Sequence, residues 1–190
     1  MKKIGLLLLA VLLTSGSAFA EEQSGFELSA WANYYDVKDG DDNVWGPGLG
    51  VGIPLMGREL LLDVRVSWLP DAGEDRLGDL ELVPLDLGLS YHYMPSDNWG
   101  VSIMGGMTYA FADYDPRNEA LDDITDFDDQ WGSYVGAGAE YKFNPNFGGF
   151  TNVYYRFLDF NVERDNSASD RSGEFDADGV NVDIGVKYYF

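Results

Sequence analysis

The sequence has little of several things that often define a function. It contains no cysteine, which excludes disulfides, thiol chemistry and a lipid-modified cysteine. Basic residues number 12 against 33 acidic ones, a balance that argues against nucleic acid as a partner. Long hydrophobic runs are also missing, because only 4–13 is continuously apolar and a membrane-spanning helix needs about 20 such residues.

The first twenty residues have the pattern of a secretory signal peptide. Lys2 and Lys3 form a basic head, 4–13 is a short apolar run, and the segment ends on small residues at 17–20. We expect cleavage after Ala20, which leaves 21–190 as one domain. A membrane-anchor helix is the alternative, but the apolar run is too short to span a bilayer comfortably.

The clearest structural pattern lies at the end of the chain, in 180–190. Apolar residues alternate there with a face that carries Asp183 and Lys187, and this period of two is that of a β-strand. A strand with one apolar and one charged face, ending on aromatic Phe190, is typical of a membrane barrel with a polar interior. Seven similar runs precede it, at 26–35, 46–55, 60–68, 83–93, 101–111, 131–143 and 151–157. In the fourth run, Pro84 predicts a bulge or a late start.

The connections between these runs alternate in length. Short turns are predicted at 56–58, 95–98 and 144–146, and long loops at 36–43, 69–79, 112–130 and 159–178. The long loops hold 23 of the 33 acidic residues. Short turns towards the periplasm and long loops towards the outside are typical of an up-and-down outer-membrane barrel.

Aromatic residues cluster at both ends of the predicted strands, as in the two interfacial girdles of membrane barrels. A soluble β-sandwich or lipocalin is the alternative, but it would place the charged strand face on its surface. We therefore predict an all-β fold, an eight-stranded antiparallel up-and-down transmembrane β-barrel. The two predicted rims consist of Tyr34, Trp45, Trp68, Phe111, Trp131 and Phe157 on the outside, and Phe26, Tyr93, Trp99, Phe143 and Phe190 on the periplasmic side.

Four segments carry a resemblance to known proteins: the signal peptide, VPLDLGLSYHY at 83–93, YVGAGAEYKF at 134–143 and the closing GVKYYF. With them the chain resembles the small outer-membrane β-barrels of Gram-negative bacteria, of the OmpA-type, OmpX-like and opacity-like kinds. The resemblance implies Sec export, an N-terminus in the periplasm and extracellular long loops. It also implies that the barrel-assembly machinery recognises the C-terminal aromatic residues Tyr188 and Phe190.

The inward face of the predicted barrel carries a charge network. A hairpin centred near Glu74 places Asp63 opposite Asp86, with Arg65 as the nearest cation. Inward glycines such as Gly48, Gly50 and Gly136 are predicted to leave room for long Arg and Lys side chains. Because buried charges must be paired, the network is interpreted as a structural polar plug, with a narrow ion path as the alternative. Its members are Asp63, Arg65, Asp86, Glu140, Lys142, Arg156, Asp183 and Lys187.

Neither catalysis nor a bound cofactor is predicted. His92 is the only histidine, and it lies near the periplasmic rim, facing inward with Ser90, away from outer-leaflet lipid. No G-x-S-x-G elbow accompanies it. The acidic loops could hold Ca²⁺ or Mg²⁺ loosely, since hard cations take carboxylate oxygens, but acidic loops are usually only a solvated surface. The metal candidates are Asp122, Asp123, Asp126, Asp128 and Asp129.

The sequence therefore predicts a non-enzymatic, monomeric outer-membrane barrel with four acidic extracellular loops. Its expected role is membrane integrity or surface interaction. Its expected partners are outer-membrane lipid, lipopolysaccharide and an extracellular ligand of unknown identity. A narrow, porin-like channel is the alternative, and a lipid A-modifying enzyme is a weaker one.

Overall fold

A computed structural model of the chain describes residues 25–38, 43–75, 78–116, 125–127, 130–164 and 173–190. The predicted signal peptide, 1–20, lies outside these residues. Within them, no helix is long and apolar enough to cross a membrane. The strands are β1 Glu27–Val37, β2 Val44–Met56, β3 Leu60–Ser67, β4 Leu69–Asp75, β5 Gly78–Tyr93, β6 Trp99–Pro116, β7 Thr125–Phe127, β8 Gln130–Lys142, β9 Phe147–Phe157, β10 Asp159–Arg164, β11 Gly173–Asp176 and β12 Gly179–Tyr189.

Eight of these strands form a closed antiparallel ring in the order β1, β2, β3, β5, β6, β8, β9 and β12. The ring closes where the first strand pairs with the last, from Glu27 opposite Tyr189 to Val37 opposite Gly179. Closure leaves the ring without a free edge. The predicted eight-stranded up-and-down barrel is thus confirmed, and side chains just fill the interior of a barrel of this size.

The two ends of the barrel are built differently. One end, called here the short-turn end, carries the connections 57–59, 94–98 and 143–146, close to the predicted short turns. Gly57 adopts a φ of 58° in the first of them, a left-handed conformation that glycine accepts without a Cβ clash. The opposite end, called the long-loop end, carries the remaining connections.

Much of the long-loop end is strand where we predicted loop. β4 continues from β3 within 69–79, β6 and β7 extend into 112–130, and β10 and β11 lie within 159–178. β10 pairs with both β11 and β7 in a second, three-stranded sheet. The loop predictions were wrong for these strands because they covered the intervals between alternating runs, whereas backbone N–H and C=O groups continue to pair where the alternation of side chains stops.

The register of the second hairpin also differs from the prediction. Arg65, not Asp63, lies opposite Asp86, and Asp63 lies opposite Gly88. The hairpin turns later than expected, since Asp75 pairs with Gly78, and the pairing is irregular between Leu69 and Gly73. Sequence periodicity fixes which residues share a face, but it does not fix how far one strand slides past the next.

Pro84 does not bend or delay its strand as predicted. β5 runs through Pro84 in regular register with β6, where Pro84 lies opposite Ala110. On its other side, β5 pairs with β3 up to Leu85 and with β4 from Leu82, so that Pro84 faces the break between those two strands. Its missing N–H therefore costs no ladder bond.

The two faces of the wall are inverted relative to a soluble protein. Ile103 is 66% exposed and Ile184 60% exposed on the outer face, whereas Arg156 and Asp183 are fully buried inside. Hydrophobic residues normally fill the interior and charged residues are almost never fully buried unless paired. The outer face is therefore suited to hydrocarbon and the inner face to ion pairing.

Candidate functional site

The barrel interior contains most of the buried charge and is the candidate functional site. Nearest the long-loop end, Arg156 of β9 reaches Asp86 of β5 with Nη2 at 2.8 and 3.1 Å from the two carboxylate oxygens. The Thr108 hydroxyl donates to Asp86 Oδ1 at 2.6 Å, and Arg156 Nη1 donates to Asn181 Oδ1 at 3.1 Å. This upper pair, Arg156 with Asp86, is thus held by charge and by two neutral polar groups.

A middle pair lies below it, formed by Arg65 of β3 and Asp183 of β12. The Asn33 side-chain amide donates to Asp183 Oδ1 at 2.6 Å. The Arg65 guanidinium is sandwiched between the rings of Trp31 and Tyr154, at 4.9 and 4.8 Å from their centroids. Desolvated cation–π contacts of this kind add to the ion pair and fix the plane of the guanidinium.

A lower cluster, Lys187 with Glu27 and Glu140, lies nearest the short-turn end. Lys187 Nζ is 2.9 Å from Glu140 Oε2 and 3.0 Å from Glu27 Oε2. Its ammonium also lies 5.5 Å from the ring centroid of Phe150. Lys187 therefore joins β12 to β1 and β8, and it spans the seam where the barrel closes.

His92 adjoins the lower cluster. Its Nε2 is 2.9 Å from Ser90 Oγ, and its Nδ1 is 3.7 Å from Glu140 Oε2. The order serine, histidine, carboxylate is that of a hydrolytic triad. Ser90 is only 1% exposed, however, and Glu140 is already neutralised by Lys187. The arrangement has the right atoms but no room for a substrate.

A small cavity lies between the middle pair and the lower cluster. Its volume is about 30 Å³, enough for about two water molecules, since each needs roughly 10–15 Å³ on this measure. Asp63, Ser90 and His92 line it together with Arg65 and Lys187. The space is large enough for water but excludes larger solutes.

The long-loop end of the interior is apolar. An apolar cluster of eight buried side chains lies there, and each is at most 3% exposed. The Tyr35 hydroxyl donates to the Ala177 carbonyl oxygen, which keeps its polar atom satisfied. Because these side chains fill the bore above the upper pair, they exclude water from that end. The cluster consists of Tyr35, Val37, Val44, Leu69, Leu82, Ala110, Leu158 and Ala177.

Gly48 and Gly50 make room for the ring of Trp31 rather than for Arg or Lys stems, contrary to our prediction. A Cβ on Gly48 would lie 2.2 Å from the indole of Trp31, and one on Gly136 would lie 2.3 Å from Tyr154 Cβ. The indole of Trp31 lies against Gly48 and Gly50, and the guanidinium of Arg65 packs between this ring and that of Tyr154. Glycine here serves close packing.

The structure distributes the predicted network over the three levels. Arg65, Asp86, Glu140, Arg156 and Asp183 are buried, whereas Asp63, Lys142 and Lys187 are partly buried. Asp63 and Asp86 do not meet, because the register separates them. Lys142 lies over the ring of Tyr189, 4.5 Å from its centroid.

Two other groups of predicted residues lie elsewhere. Tyr188 and Phe190 are at the short-turn end, where Phe190 is partly exposed and packs edge-on against Phe26 and Tyr188. The side chains of the metal candidates Asp122, Asp123, Asp126, Asp128 and Asp129 lie outside the part of the chain whose side chains are described.

The sequence prediction overlooked important members of the interior. Glu27, Trp31 and Asn33 lie on the inner face of β1, and each contacts a charged residue of the network. The signal was available, since these residues alternate with the apolar residues of the predicted run 26–35. Their polar or aromatic character alone did not distinguish them from surface residues.

A closed barrel with an apolar exterior and an ion-paired interior defines a transmembrane β-barrel. The chain belongs to the family described as "Outer membrane protein beta-barrel domain", which matches residues 6–190. This family and its structural neighbours indicate the bacterial outer membrane as the location. No curated protein matches the sequence significantly.

Solved structures of similar fold support the assignment. The outer membrane protein OprG of Pseudomonas aeruginosa matches with a TM-score of 0.71 and 16% identity, over 88% of this chain and 97% of that one. Outer membrane protein W of E. coli matches with a TM-score of 0.57 and 15% identity, over 90% and 100%. A major outer membrane protein of Thermus thermophilus gives 0.59 and 16%, over 89% and 100%. At these identities the likeness concerns the fold.

Proposed function

We propose that this protein is a non-enzymatic outer-membrane barrel that is closed to solutes and acts through its membrane surface and long acidic loops. The observation that carries the proposal is the filling of the bore. Ion pairs cross it at three levels, an apolar cluster fills the long-loop end, and the cavity between the lower levels holds only about 30 Å³. Its role is then membrane integrity or contact with an external partner.

The ion pairs support a rigid, closed interior because the upper and middle pairs join strands that are not neighbours in the ring. Arg156 and Asp86 join β9 to β5, and Arg65 and Asp183 join β3 to β12. Removing one partner of a buried pair leaves a charge unsolvated, at a cost of roughly 3–5 kcal/mol. Opening the bore by separating these pairs is therefore unfavourable.

The surroundings of the barrel are part of the same proposal. The long acidic loops face outside and the N-terminus lies in the periplasm after Sec export. The monomer contacts lipid and lipopolysaccharide, and divalent cations such as Ca²⁺ or Mg²⁺ bridge the acidic loops loosely to lipopolysaccharide phosphates. Phe190, exposed at the short-turn end, is available to the assembly machinery.

The test is conductance of the purified, folded protein in planar lipid bilayers. Folding is verified first by gel migration, because a closed barrel resists SDS when unheated and runs faster than its boiled form. We expect no discrete current steps from the folded protein. Steps that change in size when Arg65 or Arg156 is replaced would overturn the proposal in favour of a narrow channel.

The narrow ion channel is the second candidate. The observation in its favour is the polar lining that extends from Glu27 at the short-turn end to Asp86, with the small polar cavity in between. The apolar cluster opposes it, because an ion would have to shed its water to pass. A channel would thus require this cluster to move aside.

Lipid A modification is tested separately. The Ser90, His92 and Glu140 side chains lie inside the bore and away from lipid, so we expect lipid A of unchanged mass after overexpression. A mass change that disappears in His92→Ala would instead assign an enzymatic role.

A further inference from the structure

The barrel closes through one pairing between strands at opposite ends of the chain. β1 pairs with β12 in an unbroken register, from Glu27 opposite Tyr189 to Val37 opposite Gly179. A slide of one residue along this seam would turn every side chain of β12 to the opposite face and place its charges in lipid. A slide of two residues keeps every side chain on its face, so another feature of the seam must exclude it.

The lipid-facing side of the seam does not distinguish these two registers. On β12 it consists of apolar side chains such as Ile184 and Val186, and a slide of two residues puts one in the place of the other. Apolar contact is non-directional, so the exchange changes little. At the rim, where Phe26 packs against Phe190, the slide in one direction brings the aromatic Tyr188 to the same place.

The inner side of the seam carries two directional contacts. Asp183 of β12 lies directly opposite Asn33 of β1 and accepts a hydrogen bond from its side-chain amide at 2.6 Å. Both residues are fully buried, and Asp183 also forms the middle pair with Arg65. Nearer the short-turn end, Lys187 reaches diagonally across the seam to Glu27 at 3.0 Å. Two fixed points thus join the first strand to the last.

A slide of two residues separates Asp183 from its partners in either direction. Because the rise per residue in a strand is about 3.3 Å, the slide moves its carboxylate by roughly 6–7 Å along the strand. Asp183 would then lie opposite Trp31 or opposite Tyr35. In the second case Lys187 is also carried away from Glu27, to a position opposite Trp31. Charges that are buried without their partners make both slid registers unfavourable.

We propose that Asp183 and Lys187, with their partners Asn33, Arg65 and Glu27, form a register lock that selects the one pairing in which the barrel closes. An apolar replacement of a buried ion pair is often neutral in stability, but it lacks the directional preference of the pair. The middle pair therefore has a role beyond filling the bore. It decides which residues of the first and last strands meet.

The register is read by disulfide cross-linking, for which the chain is suited because it contains no cysteine. Ala30 and Val186 lie opposite each other on the outer face of the seam. Ala30→Cys with Val186→Cys reports the native register, since opposite residues are about 4.5–5.5 Å apart, within the reach of a disulfide. Ala30→Cys with Ile184→Cys, or with Tyr188→Cys, reports a slide of two residues, because these diagonal neighbours are about 7–8 Å apart in the native register.

Each cysteine pair is placed in the parent and in Arg65→Met combined with Asp183→Leu, which replaces the middle pair by apolar side chains. The proteins are refolded from urea into detergent micelles, and barrels that show the faster unheated gel band are oxidised and scored on a boiled, non-reducing gel. We expect the parent to cross-link through 30–186, and the variant to form about tenfold more of the slid cross-links. Cross-linking through 30–186 alone in both proteins would overturn the proposal.

The matched control makes the same exchange in the upper pair. Asp86→Leu with Arg156→Met changes a contact between β5 and β9 that does not cross the seam, so its cross-linking should be that of the parent. If the control forms the slid cross-links as often as the Arg65 and Asp183 variant, any loss of interior charge suffices and the register lock is refuted.

A milder variant decides the matter if the replacement of the middle pair prevents folding. Asn33→Val removes the hydrogen bond to Asp183 across the seam and keeps the Arg65 pair. We expect its folded barrels to form a few times more of the slid cross-links than the parent, since a hydrogen bond to a charged group is lost. An unchanged cross-linking pattern in this variant would contradict the register lock.

Discussion

The interior of this barrel is divided into two regions of different chemistry. From the short-turn end up to the apolar cluster, buried charges are paired in defined directions, as in the contacts of Lys187 with Glu140 at 2.9 Å and with Glu27 at 3.0 Å. At the long-loop end, residues such as Leu69 and Leu82 pack without direction, at 0% and 1% exposure. The same barrel wall, in which successive side chains alternate between the two faces, carries both regions. The comparison shows that alternation decides which side chains point inward, whereas the position along the strand decides whether those side chains are charged or apolar.

The two regions stabilise the fold for different physical reasons. Apolar packing is non-directional and roughly proportional to the buried area, so it seals the bore without fixing which strands face each other. Ion pairs repay their desolvation only in good geometry, so they are poor general stabilisers but penalise any incorrect arrangement of strands. Substitutions in the two regions should therefore lower the free energy of unfolding by different amounts and for different reasons.

The largest effect is expected when the upper pair is broken. Asp86→Leu leaves Arg156 buried without its carboxylate, and we expect a loss of roughly 3–5 kcal/mol in the free energy of unfolding. Urea unfolding of the folded protein in detergent micelles measures it. Asp97→Leu makes the same change in an exposed turn and should leave the midpoint unchanged. Equal midpoints for the two variants would contradict the importance of pairing.

A smaller loss is expected in the apolar cluster. Leu82→Ala removes a side chain that is 1% exposed and leaves a cavity, which should cost about 3 kcal/mol. Leu87→Ala is the matched control on the same strand, because Leu87 is 53% exposed and solvent or lipid fills its place. The same unfolding measurement should separate the two. If Leu87→Ala costs as much as Leu82→Ala, the outer and inner faces are not distinguished by packing.

The packing around Arg65 gives an intermediate test. Gly48→Ala places a methyl group 2.2 Å from the indole of Trp31, which must shift and disturb the Arg65 stack, at about 1–3 kcal/mol. In Gly105→Ala the nearest atom to the new Cβ is 3.3 Å away. We expect the first variant to lower the heat resistance of the unboiled gel band more than the second. The reverse order would show that the Trp31 ring can move away from the new methyl group without disturbing Arg65.

The smallest effect is expected when both charges of the upper pair are removed together. Asp86→Leu combined with Arg156→Met leaves an apolar pair of similar volume, and such exchanges are often neutral. We expect the double variant to unfold within about 1 kcal/mol of the parent, well above Asp86→Leu alone. A double variant as unstable as the single one would mean that Asp86 stabilises the barrel through groups other than Arg156.

Some of the site could be predicted from the sequence and some could not. Alternation placed Asp183 and Lys187 on one face and the apolar residues of 180–190 on the other, because side chains on a strand project to opposite sides. The ion-pair partners of these charged residues were not predicted correctly. Asp63 and Asp86 were expected to face each other, yet the hairpin register sets Arg65 opposite Asp86, and the salt bridges then run across the bore to β9 and β12.

The sequence by itself determined the eight strands of the barrel, their two faces and its closure, since these depend on local alternation and on the lengths of the connections. Only the tertiary structure decided which charges pair, where Trp31 lies against Gly48, and that the long-loop end is filled by an apolar cluster. Those outcomes depend on register and on strands that are distant in sequence. The alternation of side chains along a single strand carries no information about either. If one strand slides past its neighbour by two residues, every side chain stays on the same face, but every residue faces a new partner.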